Sequence, residues 1–152
     1  MHINSSVLLL IGLFSLSSHA GANYDPTKIR DGISEQNKIF KVKNWQQENN
    51  AWIASSEIRG LKISVNDKTT ELILPFINFK QKRAAKQRCE ALGHIGLKAS
   101  SDIERQKIHK TIHEAARTHE IQTLDMNNSR LLVLPKLLGS YVRLHCKIKS
   151  NA

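Results

Sequence analysis

This sequence lacks the features by which several classes of protein are recognised. The strings GxSxG, SxxK and HExxH are all absent, so the sequence carries none of these familiar catalytic motifs. Aromatic residues make up only 5% of the 152 residues, too few to predict a platform on which nucleic-acid bases stack. With 40% hydrophobic and 24% charged residues, the composition also excludes collagen-like, coiled-coil and mostly disordered chains. This length predicts a single domain.

Acidic residues are scarce as well, since 13 Asp and Glu stand against 23 Lys and Arg, and the formal net charge is +10. The densest basic run consists of Lys80, Lys82, Arg83, Lys86 and Arg88. Such a run predicts binding to an anionic surface or partner. The alternative is a solvated helix face that keeps the protein soluble. Nucleic acid agrees with the charge but has no motif to support it, and no cofactor is predicted.

The first twenty residues predict a secretory signal. They contain no Lys, Arg, Asp or Glu, and Val7–Leu16 is an almost unbroken apolar run, too short to span a bilayer comfortably. Ser18-His19-Ala20 then forms a small-x-small site, which predicts cleavage after Ala20. An N-terminal membrane anchor is the alternative. We expect export to the periplasm or the medium, with no transmembrane segment once the signal is removed.

Export changes how the two cysteines are interpreted, because thiols oxidise in that compartment. Cys89 shares a helical face with Ala85 and Leu92, and Cys146 lies on the apolar face of an alternating strand. Both sulfurs are therefore expected to face the core, which favours one buried disulfide over two free thiols or a nucleophilic Cys89.

The pattern along the rest of the chain predicts an α+β domain over residues 38–150, with antiparallel strands and two helices packed on the sheet. Residues 21–37 are polar and predict a loosely held leader. A brief strand is predicted at 94–97 after a helix that ends at Gly93, and a turn at 135–140. Two strands joined by a turn are predicted from 38–46 to the region of Trp52, with a short helix around Trp45 and Trp52 as the alternative. The other predicted elements are strands at 60–65, 69–74, 121–126, 130–134 and 141–148, and helices at 79–92 and from Ser101 onwards.

The second helix carries the clearest local signals. Ser101 and Glu104 have the spacing of a capping box. His109 and His113 lie one turn apart and could share a metal ion. The sequence predicts no metal site, however, because no third ligand can be placed. The pair is then interpreted as two half-exposed histidines beside the apolar stripe.

A stretch of the chain resembles a known family. It runs from Cys89-Glu90-Ala91-Leu92-Gly93-His94-Ile95-Gly96 through a helix ending in Ala115-Ala116 and a strand at 121–124. It finishes at Gly139-Ser140-Tyr141-Val142-Arg143-Leu144-His145-Cys146. This order over residues 88–148 is similar to the small envelope domains typified by the Rcs stress-sensing outer-membrane lipoprotein. The resemblance implies a disulfide-held α+β domain that works by protein contact in the envelope. The sequence departs from that family in having no lipidation cysteine and only two cysteines.

Together these observations predict a non-enzymatic exported protein that binds another envelope protein or an anionic surface, such as an accessory, immunity or inhibitor protein. The competing hypothesis is a secreted basic hydrolase of nuclease type that uses His113 or His119 together with Arg117. No catalytic residue is assigned, because His113 and Glu114 are adjacent on a helix and point about a quarter-turn apart.

Overall fold

A computed structural model describes residues 24–76 and 78–151 of the chain. The predicted signal peptide lies outside the described residues. The helices are α1 (Pro26–Glu35), α2 (Asn37–Phe40), α3 (Phe79–Gly96) and α4 (Asp102–Thr118). The strands are β1 (Val42–Glu48), β2 (Ala51–Ser56), β3 (Lys62–Asn66), β4 (Thr69–Phe76), β5 (Gln122–Met126), β6 (Ser129–Leu138) and β7 (Tyr141–Ser150). None of the helices in the described ranges is long and apolar enough to cross a membrane.

The seven strands form one antiparallel sheet in the order β1-β2-β3-β4-β7-β6-β5. The last strand, β7, inserts between β4 and β6, while α3 and α4 provide the connection from β4 to β5. Alternation along the strands turns one set of apolar side chains towards the helices, where they are buried. The predicted α+β class with antiparallel strands is confirmed; of the four helices that the structure describes, α3 and α4 are the two that were predicted to pack on the sheet.

The disulfide is also confirmed. Cys89 on α3 and Cys146 at the centre of β7 are joined, and both residues are fully buried. Their Cα atoms lie 5.8 Å apart, within the usual range for a disulfide. This bond fixes α3 to the middle of the sheet.

The predicted loose leader is wrong over the part of it that the structure describes. Residues 26–35 form α1, which begins with Asp25 as its N-cap and Pro26 in its first turn. Ile29 and Ile33 from this helix are buried in the core. The helix was missed because the segment is mostly polar and only these two isoleucines, one helical turn apart, face the core.

The predicted end of α3 is wrong too, because the helix continues through Gly93 to Gly96 and no strand forms at 94–97. The two glycines are there for close packing instead. A Cβ atom on Gly93 would lie 2.7 Å from the Ile108 side chain, and one on Gly96 would lie 2.5 Å from that of Ile148. Their missing side chains allow α3 to approach both α4 and β7.

The predicted turn at 135–140 is shorter than expected. Strand β6 runs through Pro135 to Leu138, and only Gly139 and Ser140 turn the chain into β7. Proline is tolerated here because β5 pairs with β6 only as far as Val133, so Pro135 lies on an edge of the sheet.

Candidate functional site

The most concentrated set of charged side chains lies between α3 and α4. On α3, Lys82, Lys86 and Glu90 are spaced four residues apart and therefore share one face. On α4, His109 and His113 have the same spacing. Buried positions such as Cys89 and Ile112 lie on adjoining faces of the two helices, so these polar residues lie at the border of the core and remain partly exposed.

The two faces form a cleft of about 870 Å³. Five of the residues that line it are cationic, namely Lys82, Arg83, Lys86, Lys110 and Arg117. Two are acidic, Glu90 and Glu114. Cations from both helices therefore meet across one concave surface.

At the end of the cleft nearest the α3–α4 connection, two histidines contact one carboxylate oxygen. Glu90 Oε1 lies 3.0 Å from Nδ1 of His109 and 3.4 Å from Nε2 of His113. The two imidazole rings stack with their centroids 3.8 Å apart. These three residues offer ligand atoms that all lie within 4.8 Å of one another, close enough to hold a metal ion.

Burial and neighbouring positive charges lower the pKa of two groups in the cleft, His113 and Lys86. Burial lowers the pKa of His113, and the positive charges of Lys86 and His109 lower it further, while Glu90 opposes the change only in part. Burial likewise lowers the pKa of Lys86, with the charge of Lys82 as the next cause. Lys86 Nζ lies 3.3 Å from Nδ1 of His113.

The structure divides the predicted basic run between two surroundings. Lys82, Arg83 and Lys86 line the cleft. Lys80 instead lines a separate hollow beside Pro75. Arg88 donates a hydrogen bond from Nε to the carbonyl oxygen of Ile39 at 3.0 Å, so its guanidinium holds the N-terminal segment against α3.

The structure brings together only one of the two residue pairs of the hydrolase hypothesis, His113 with Arg117. His113 and Arg117 line the cleft, but the Arg117 guanidinium forms an ion pair with Glu114. His119 does not line the cleft. It follows α4 as the C-cap residue and has a left-handed backbone conformation.

Two further histidines lie elsewhere. The Nε2 atom of His94 is buried and has no hydrogen-bond partner among the described residues. His145 lies on the sheet face away from the helices, where its Nε2 atom is 3.0 Å from Glu71 Oε2. Lys147 forms an ion pair with the other oxygen of Glu71.

Sequence reasoning missed the contribution of Glu90 to the histidine pair. The two histidines were visible from their spacing, but the third ligand comes from another helix, nineteen positions before His109. The only signal in the sequence was the four-residue spacing of Glu90, Lys86 and Lys82, which gives these residues a common face.

No protein-family model, curated protein or solved structure matches this chain.

Proposed function

We propose that this protein is an exported, non-enzymatic binding protein whose α3–α4 cleft holds an acidic segment of a partner protein. The observation that carries the proposal is the convergence of five cationic side chains from two helices on one concave surface. A flat solvated helix face would keep a protein soluble, but it would not gather cations from two elements around a common space.

The acidic residues of the cleft leave this positive charge largely uncompensated. Glu90 contacts the two histidines, and Glu114 pairs with Arg117. Lys82, Arg83 and Lys110 form no ion pair with any residue in the described ranges. An incoming carboxylate would relieve the mutual repulsion of these cations, which favours association and speeds the encounter.

The concave shape favours a protruding acidic segment over a flat bilayer, because such a segment can approach side chains on both helices at once. A partner of this kind agrees with the predicted resemblance to Rcs-type envelope domains, which implies work by protein contact. The predicted signal and the buried Cys89–Cys146 bond both favour an oxidising compartment for this encounter.

The proposal is tested by the binding of a fluorescently labelled oligoglutamate peptide to the oxidised protein, measured by polarisation at increasing salt. We expect saturable binding that weakens at least about tenfold between 50 and 200 mM salt, since exposed charges are screened over this range. The double variant Lys82→Gln/Lys110→Gln should lose most of the binding.

The matched control is Lys62→Gln/Lys136→Gln, which removes the same charge from exposed positions on the opposite sheet face. It should bind almost as the unchanged protein does. Equal loss in both double variants would show that net charge alone attracts the peptide and would overturn the assignment to the cleft. Binding to vesicles of anionic lipid but not to the peptide would replace the proposed partner with a membrane surface.

A further inference from the structure

We propose that Glu90, His109 and His113 form a binding site for a divalent transition-metal ion, with Zn²⁺ the best match. This inference does not depend on the proposed acidic partner. It begins from the juxtaposition of one carboxylate and two imidazoles at the end of the α3–α4 cleft.

The separations of the Glu90 oxygen from the two histidine nitrogens fit tetrahedral coordination. With zinc–nitrogen and zinc–oxygen bonds of about 2.0–2.1 Å, two ligand atoms of a tetrahedral site lie about 3.3 Å apart. Glu90 Oε1 lies 3.0 Å from Nδ1 of His109 and 3.4 Å from Nε2 of His113. The nitrogen atoms of the two histidines also lie within 4.8 Å of each other, so all three atoms are within reach of one ion.

The backbone beneath these ligands is held in place. Glu90 follows Cys89, which the disulfide fixes to β7. The close contact of Gly93 with Ile108 sets the spacing of α3 and α4 next to His109. Two histidines one turn apart on a single helix need no loop to bring them together. Such a preformed arrangement loses little conformational entropy when it binds an ion.

The ligand types select the ion. Two imidazole nitrogens and one carboxylate oxygen suit zinc and the later first-row metals, whereas magnesium and calcium require mostly oxygen ligands. Three protein ligands leave the fourth tetrahedral position to water or an exogenous anion. The exposure of His109 and His113, at 55% and 41% of their side chains, gives an ion direct access from solvent.

Lys86 is expected to weaken metal binding through its contact with His113. Its ammonium lies 3.3 Å from Nδ1 of His113, where it can donate a hydrogen bond only if that nitrogen carries a lone pair. In neutral His113 the proton then lies on Nε2, the atom that must bind the metal. Metal binding therefore requires the other tautomer and the loss of the Lys86 contact, so removal of Lys86 should strengthen binding.

The test is isothermal titration calorimetry of ZnCl₂ into the oxidised, chelator-treated protein, with CoCl₂ as a spectroscopic substitute. We expect one ion per chain and the visible absorption of tetrahedral Co²⁺. Each of the variants Glu90→Gln, His109→Gln and His113→Gln should weaken binding by more than about tenfold. Thermal unfolding without metal confirms that each variant is folded.

Two controls make the result decisive. His119→Gln and Glu114→Gln remove a histidine and a carboxylate outside the proposed ligand set, and both should keep the affinity within about twofold. Lys86→Met should tighten binding more than Lys110→Met, which removes the same charge from the same cleft. The proposal is overturned if the unchanged protein binds no Zn²⁺ at millimolar concentration, or if His119→Gln weakens binding as much as His113→Gln does.

Discussion

Two glutamates on opposite sides of the sheet hold histidines in different ways. On the open sheet face, Glu71 uses both of its oxygens, one for His145 and one for Lys147. All three side chains are only about one-quarter exposed. Burial raises the pKa of the Glu71 carboxyl, but the hydrogen bonds and charges of its two partners outweigh burial, so its pKa lies below the ordinary value. In this cluster each oxygen of the Glu71 carboxylate therefore has its own charged or polar partner.

On the helix side, the carboxylate of Glu90 contacts two histidines and forms no ion pair with a lysine or arginine of the described residues. His109 and His113 both approach the same oxygen of Glu90, and the neighbouring Lys86 contacts His113 rather than the carboxylate. The comparison shows that a lysine placed directly on a glutamate completes a structural ion pair. Two histidines around one carboxylate oxygen instead leave a geometry that a cation can occupy.

The disulfide connects these two regions, because Cys89 precedes Glu90 and Cys146 follows His145. The largest effect should therefore come from the double variant Cys89→Ala/Cys146→Ala. Its free energy of unfolding should fall by about 4 kcal/mol, the chain-entropy value for a closed loop of this length. Denaturant unfolding measures the change, and reduction of the unchanged protein should give a similar loss. A loss below about 1 kcal/mol would mean that packing alone holds α3 on β7.

The next effect concerns the glycine contact between the same two elements. Gly96→Ala places a Cβ atom 2.5 Å from Ile148 Cγ1, and we expect a net destabilisation of about 1–3 kcal/mol despite the better helix propensity of alanine. Ile148→Ala removes the obstructing atoms. In a double-mutant cycle, the combined variant should therefore be less destabilised than the sum of the single variants. Simple additivity would show that the two positions do not interact.

The elements predicted correctly from the sequence are those whose signals are local. The Ser101 and Glu104 spacing identified the start of α4, and both hydrogen bonds of the capping box are present. The alternation around Cys146 and the helical face of Cys89 predicted the disulfide. Each of these signals depends on neighbours within about one turn or a few strand positions.

The features that were missed depend on contacts between elements. Gly93 is a helix-ending residue by composition, and only the approach of Ile108 shows why glycine is needed within α3. Pro135 breaks a strand pattern, and only the end of β5 shows why it is tolerated. The contact of Glu90 with His109 was missed for the same reason, because the sequence of neither helix shows how α3 and α4 pack against each other.

A smaller effect should come from Glu71 in the sheet cluster, whose contribution to the free energy of unfolding should depend on pH. Because the pKa of Glu71 is lower in the folded protein than its usual 4.5, its charge stabilises the fold at neutral pH. That stabilisation is lost as the pH falls below 4.5 through the folded-state pKa. Glu71→Gln should cost about 1 kcal/mol at pH 7 after allowance for solvent screening. Denaturant unfolding at pH 7 and at pH 3 should show this difference shrinking in acid.

The control for that measurement is Glu48→Gln, which changes an exposed carboxylate on β1 that forms no ion pair with the described residues. It should leave the free energy of unfolding nearly unchanged at both pH values. If Glu71→Gln were equally neutral, the cluster on the sheet face would be an arrangement of solvated charges with no net stabilising role.

The smallest effect is expected at His94, the histidine on α3 whose Nε2 atom has no partner in the described part of the chain. Burial lowers its pKa, and Arg105 adds to the shift while Glu90 opposes it. The unfolded chain therefore binds the proton more readily, and stability is lost as the pH falls below 6.5 through the folded-state pKa. In chelator-containing buffer, His94→Gln should reduce the loss of thermal stability between pH 7.5 and 5.5, by less than about 1 kcal/mol. His119→Gln, at an exposed position, should retain the full loss, and equal curves for the two variants would show that protonation of His94 has no cost.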